Sequence, residues 1–162
     1  MRRYLFNTNK LKYVKGDKPL VDCILCALRD NQPEVVNLEI TRRDDFIISV
    51  NLYPFNAGHI MIFPSRHIED IHEITDQEAL VLHRLLCDSL RIIQNEFKPD
   101  GFNVGYNLGR NSGASITHLH LHVVPRYGNE VGFLDVLAGT RVVVADPVDV
   151  RDRLRKGFEQ AI

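Results

Sequence analysis

Residues 118–124 read His-Leu-His-Leu-His-Val-Val, and this alternation restricts the backbone more than any other stretch of the chain. In an extended strand successive side chains point to opposite faces. His118, His120 and His122 therefore share one face, while Leu119, Leu121 and Val123 share the other. A rise of about 3.3 Å per residue spaces the imidazoles roughly 6–7 Å apart. Burying the aliphatic face fixes the strand in a sheet and turns the imidazole row toward a surface or cavity. Protonating three such neighbours together is unfavourable because like charges repel. Some of the rings are thus expected to stay neutral at pH 7, with lone pairs available to attack or to ligate.

The remaining patterns supply the sheet. DFIISVNLYP (45–54) and HIMIFP (59–64) read as strands joined by a turn at 56–58. FNVGYNLG (102–109), HLHLHVV (118–124) and RVVVAD (141–146) add three more, giving five. Thr75 and Glu78 have the spacing of a capping box, and Ala79, Leu82, Leu86, Leu90, Ile93 and Phe97 follow at intervals of three and four. That predicts a long amphipathic helix, stopped by Lys98-Pro99-Asp100-Gly101. Cys87, within this helix, is expected to be buried as a small apolar residue, whereas His72 and His83 are expected at the surface. The fold class is α+β, a mainly antiparallel five-stranded sheet with one long helix packed on it. Residues 1–21 are polar and aperiodic and read as an N-terminal arm, residues 22–146 as the domain, and 147–162 as a charged C-terminal helical extension.

Composition narrows the partners. With 162 residues and 44% hydrophobic content the chain can build one core. Twenty basic against twenty-one acidic residues argue against coating a nucleic-acid polymer, whose affinity rests on a basic excess. No apolar run is long enough to span a bilayer, and the opening residues lack the apolar core of an export signal. Three cysteines in that context suggest a reducing, cytoplasmic setting rather than a disulfide framework. A histidine row next to the small-residue loop GRNSGAS (109–115) leaves two chemical readings, a metal site or nucleophilic catalysis with phosphate recognition.

HLHLHVV resembles the signature of the histidine triad (HIT) superfamily of nucleotide hydrolases and transferases. PFNAGHIMIFPSRHI (54–68), NLGRNSGASITH (107–118) and DCILCALRD (22–30) are similar to that family's flanking segments. PDGFNVGYNLGRNSGAS and VPRYGNEVGF most resemble the branch acting on diadenosine polyphosphates. The resemblance implies a HIT-like fold and a nucleotidyl hydrolase or phosphorylase. It implies that His120 attacks the α-phosphorus to form a nucleotidyl-histidine intermediate, with His122, His59 and Ser115 as the other catalytic groups. By the same resemblance Asn51 meets the ribose, Ile24, Leu25 and Leu28 clamp the base, and Asn107, Gly113 and Ser115 meet phosphate. It also implies a homodimer, a small nucleotide as substrate, and no redox cofactor. Whether water or phosphate accepts the nucleotidyl group, and which base is preferred, stay open.

Cys23 and Cys26 form a C-x-x-C pair. A redox role would want that pair opening a helix in a thioredoxin-like βαβ unit, which the sequence lacks. In some HIT relatives such a pair joins two histidines around structural zinc, which by resemblance assigns Cys23, Cys26, His67 and His118 as Zn²⁺ ligands here. Two other classes compete with the enzyme reading: a non-catalytic nucleotide- or partner-binding module, and a cupin-like metal enzyme using His-x-His as ligands with Glu130 nearby.

Overall fold

The computed structural model describes residues 19–128 and 145–160. A short helix α1 (Ile24–Arg29) precedes strands β1 (Glu39–Arg43), β2 (Phe46–Val50) and β3 (Ile60–Pro64). Helix α2 (Asp76–Phe97) follows, then β4 (Gly101–Tyr106), β5 (Leu121–Arg126) and α3 (Pro147–Gln160). The strands form one sheet in the order β1-β2-β3-β5-β4, and every neighbouring pair is antiparallel. The α+β class and the five-stranded antiparallel sheet are thus as expected.

The five strands are not the expected five. The reading of 141–146 as a strand falls largely on residues 141–144, outside the described residues. The fifth strand is β1, whose EITRR sequence buries only Ile40 and so carries no alternating signal. As an edge strand it needs little apolar surface, and its pairing follows from a two-residue turn. Asp44 (φ 48°) and Asp45 (φ 64°) are both left-handed, the conformation a tight hairpin between twisted strands requires. Asp45 therefore belongs to the turn, and β2 starts one residue later than the sequence suggested. β5 likewise begins at Leu121 rather than His118. The Leu119 N–H donates to the Ile68 carbonyl at 2.7 Å, so His118–His120 run beside the segment after β3 before joining the ladder.

Both faces of the sheet are covered. Phe46, Ile48, Val50, Ile60, Ile62, Leu121 and Val123 form one core with α2 and α3. Ile47, Met61 and Phe63 point the other way and pack on Leu25 and Leu28 of α1. Because Met61 pairs with His122 across β3 and β5, the histidines share the face that carries α1. That register places the site.

α2 starts as predicted, with Thr75 and Glu78 exchanging side-chain and backbone hydrogen bonds and Arg66 bound to Glu78 at 2.7 Å. Its buried residues are Leu82, Leu85, Ser89, Ile92 and Ile93, while Ala79 is exposed and Leu86, Leu90 and Phe97 are half-buried. The stripe is turned from its expected line because α2 packs on α3 as well as on the sheet, with Ile92 against Gly157. Cys87 is consequently exposed, contrary to expectation, and faces His83 of the next turn at 3.7 Å. His72 and His83 are exposed as expected. Among the described residues no helix is long and apolar enough to cross a membrane.

Candidate functional site

The sequence resemblance implicates five histidines, His59, His67, His118, His120 and His122, and the structure places them in different environments. His59 lies in the turn before β3 and is fully buried. Its neighbour Gly58 has φ 81°, and a Cβ there would approach Pro125 Cγ at 3.2 Å. Only glycine fits so tight a left-handed turn without displacing β5. The Phe55 N–H donates to His59 Nδ1 at 3.1 Å, which puts the His59 proton on Nε2. His59 Nε2–H then donates to His122 Nδ1 at 3.0 Å. A neutral His122 must accordingly carry its proton on Nε2, which lies 3.3 Å from Asn107 Nδ2; that protonation calls for the amide to turn over so that its oxygen accepts.

His120 is oriented by its own backbone neighbourhood. Its Nδ1–H donates to the His118 carbonyl at 2.7 Å, leaving Nε2 as a lone-pair nitrogen. The rings of His120 and His122 are edge to face, 4.7 Å between centroids. Burial pushes the His120 pKa below its ordinary 6.5, because a buried ring resists protonation. The result is a neutral imidazole, fixed in one tautomer, beside a second imidazole that offers an N–H. That pairing suits nucleophilic attack combined with proton donation.

A cavity of about 230 Å³ opens beside these two rings. Nine of the residues expected at a nucleotide site line it: Ile24, Leu25, Leu28, Asn51, Asn107, Gly113, Ser115, His120 and His122. His59 does not line it; its ring meets His122, which does. Val35, Tyr53, Phe55, Met61 and Ile116 line it too, and sequence reading missed them. For Met61 the signal was available, since it alternates with Ile60 and Ile62 of the main core and so faces the other side of the sheet. Asn51 accepts the Tyr53 N–H at 2.9 Å, closing the turn that brings Tyr53 to the rim. Gly113 is left-handed at φ 90° after a 3₁₀ turn at Arg110–Ser112, which carries the loop back to Ser115.

The third triad member faces elsewhere. His118 Nε2–H donates to the Pro64 carbonyl at 3.0 Å, so its Nδ1 lone pair points at Cys23 Sγ (3.5 Å) and Cys26 Sγ (3.6 Å). His67 Nδ1 is 3.4 Å from Cys26 Sγ. The four potential ligand atoms of Cys23, Cys26, His67 and His118 lie within 4.8 Å of one another. Tetrahedral zinc with Zn–S of about 2.3 Å and Zn–N of about 2.0–2.1 Å would set the sulfur–nitrogen edges at about 3.5–3.6 Å. The sulfur–nitrogen separations of 3.4–3.6 Å match those edges. The C-x-x-C pair also opens a helix, since Cys23 is the N-cap of α1, but among the described residues no βαβ unit surrounds it. Without a cation, burial and the Cys23 hydrogen bond push the Cys26 thiol up to about 11, while burial pushes His118 down to about 4. Glu69 accepts from His67 Nε2 at 3.3 Å, the kind of carboxylate partner that orients a ligating imidazole. His118 and His120 direct their ring nitrogens to different surroundings, so this His-x-His pair does not converge on one ion as the cupin-like reading required.

The chain matches the HIT domain over residues 29–129. It is 41% identical over 107 residues to an AP-4-A phosphorylase of Mycobacterium tuberculosis, covering 65% of this chain and 53% of that protein. It is 37% identical over 87 residues to a bis(5'-adenosyl)-triphosphatase of Saccharomyces cerevisiae, covering 52% of this chain and 42% of that protein. The chain thus spans about half the length of these curated relatives or less. Its fold is similar to the crystal structure of a Zn-bound histidine triad family protein from Mycobacterium smegmatis. The TM-score is 0.70 at 23% identity, over 86% of this chain and 95% of that one.

Proposed function

This chain belongs to the HIT domain family, and from that premise we propose that it cleaves dinucleoside polyphosphates such as diadenosine tetraphosphate through a nucleotidyl-histidine intermediate. The observation that carries the reading is the state of His120: buried, its Nδ1 proton held by the His118 carbonyl at 2.7 Å, its ring facing the cavity. Its Nε2 lone pair attacks the α-phosphorus, an N–P bond forms, and the bond to the bridging oxygen of the leaving nucleotide breaks. His122 Nε2–H donates to the departing or non-bridging oxygen, and Asn107 and Ser115 add hydrogen bonds to the charge that develops. His59 takes no part in the chemistry itself; it fixes the tautomer of His122. Ile24, Leu25 and Leu28 provide the apolar wall for the base, and Asn51 meets the ribose.

An acceptor then attacks the nucleotidyl-histidine and releases His120. Water gives AMP and ATP from diadenosine tetraphosphate, whereas inorganic phosphate gives ADP and ATP. Names of relatives support both outcomes, one a phosphorylase and one a triphosphatase. The Cys23/Cys26/His67/His118 set would hold zinc, which when bound supplies a structural cross-link rather than a Lewis acid at phosphorus. The reading carries with it a cytoplasmic location, which the three free thiols favour, and a homodimer, which the family resemblance favours. Incubating wild-type and His120→Ala protein with diadenosine tetraphosphate, with and without phosphate, tests it. The expected result is turnover by wild type alone, with ADP appearing only when phosphate is present if the enzyme is a phosphorylase. Undiminished turnover by His120→Ala would remove the proposal.

A further inference from the structure

The cluster of cysteines and histidines and the nucleotide cavity share their walls. Cys23 and Cys26 bracket Ile24 and Leu25, which line the cavity, and Cys23 packs against the apolar cluster of Leu25, Leu28 and Met61. On the other side, His118 turns its Nδ1 to the two sulfurs while its carbonyl holds the Nδ1–H of His120. The neighbouring segment is laced to the same stretch, since the Leu119 N–H donates to the Ile68 carbonyl and His118 Nε2–H donates to the Pro64 carbonyl. Four ligand atoms within 4.8 Å therefore connect the apolar wall of the cavity to the residues that aim its nucleophile.

α1 has only six residues, too short to be stable without tertiary contacts. Its C-terminal end is tied down by Arg29, which donates to the Ser65 carbonyl at 2.7 Å. Among the described residues, the polar contacts that tie its N-terminal end to residues 117–119 are the thiol–imidazole ones at 3.5 and 3.6 Å. Such contacts are weak while sulfur and nitrogen stay uncharged. A thiophilic divalent cation would replace them with four bonds and hold Ile24 and Leu25 in place before a base arrives. A nucleotide pressing on the same wall would in turn hold the two cysteines in position for the cation.

We propose that the Cys23/Cys26/His67/His118 cluster is an effector site for the nucleotide cavity, so that cation and nucleotide each tighten the binding of the other. The proposal rests on the nucleotide reading above and on the cation fitting this ligand set. Thermodynamic reciprocity requires the two enhancements to be equal, and pre-ordering of one wall gives them their sign.

The test uses the full chain loaded with Zn²⁺ and AMP as the nucleotide, read by calorimetry and by competition with a chromophoric zinc chelator. Saturating AMP should raise zinc affinity about 10-fold, within the usual range for coupled sites. Zinc-free protein that retains its circular dichroism should bind AMP about 10-fold more weakly, the same factor. His67→Ala, the most exposed ligand, should reproduce the AMP defect, and His67→Cys, which restores a zinc ligand, should repair it. The chelator arm needs only loaded protein, so unfolding of the stripped form does not rescue the idea. A zinc affinity indifferent to AMP overturns the coupling and leaves nucleotide binding intact. Failure of AMP to bind loaded protein would overturn the nucleotide reading as well.

Discussion

Replacing His59 with phenylalanine separates the relay from the packing. The ring of His59 is fully buried and stacks on Phe55 with centroids 5.3 Å apart at 15°, and phenylalanine retains that stack. What is lost are the hydrogen bonds from the Phe55 N–H (3.1 Å) and to His122 Nδ1 (3.0 Å). At a net ~0.5–1.5 kcal/mol each, their loss should lower stability by about 1–3 kcal/mol, small enough to leave a folded protein. The effect on the reaction should be larger. His122 no longer has its proton directed to Nε2, and positioned proton donors contribute about 10²–10⁴-fold. A loss of about 100-fold in kcat, or about 2.7 kcal/mol of barrier, is expected in steady-state assays with diadenosine tetraphosphate. KM should change little, because Ile24, Leu25, Leu28 and Asn51 are untouched. His59→Gln, which keeps an amide donor for His122, should recover part of the loss. A folded His59→Phe enzyme with kcat within about threefold of wild type, far short of the range for proton donors, would refute the relay.

Other outcomes follow from the same geometry. Burial holds the His120 pKa below 6.5, so protonation removes the nucleophilic lone pair only in more acidic solution; the acid limb of kcat/KM should fall below pH 6.5, and a limb above it would contradict the assignment. Thr75→Ala removes the cap of α2 and should cost about 1 kcal/mol in urea unfolding. The Arg66 hydrogen bond holds the Glu78 carboxyl down to about 2 from 4.5, so its contribution is present above pH 4.5 and lost as pH falls toward 2; Glu78→Gln should flatten that part of the stability curve. Gly157→Ala would place a Cβ 2.6 Å from Ile92 Cγ2 and should lower Tm, with a cost of about 1–3 kcal/mol for the overpacked contact. A rise in Tm would mean that α2 and α3 do not pack this closely in solution.

Features carried by periodicity and chemistry were legible in the sequence. The alternation at 118–124 marked the buried Leu119, Leu121 and Val123, and Thr75 with Glu78 marked the start of α2. What the alternation could not reveal is that His118, on the same face, aims its ring at Cys23 and Cys26 and not into the cavity. That depends on the Leu119 N–H pairing with Ile68 instead of the sheet, a contact between distant segments. β1 was invisible because an edge strand of charged residues has no apolar period, and its Asp44-Asp45 turn lacks the glycine that usually announces a hairpin. The exposed Cys87 reflects the packing of α3 on α2, which rotates the buried stripe. Tyr53 and Phe55 reached the cavity through the turn closed by Asn51, a local hydrogen bond with no signature in spacing.

The most direct test of the central claim is rapid-quench mass spectrometry of intact protein mixed with diadenosine tetraphosphate, followed by peptide mapping. An adenylyl group on His120, formed and lost at the rate of turnover, is the predicted result. Turnover without any such adduct, or with the adduct on His118 or His122, would contradict the account.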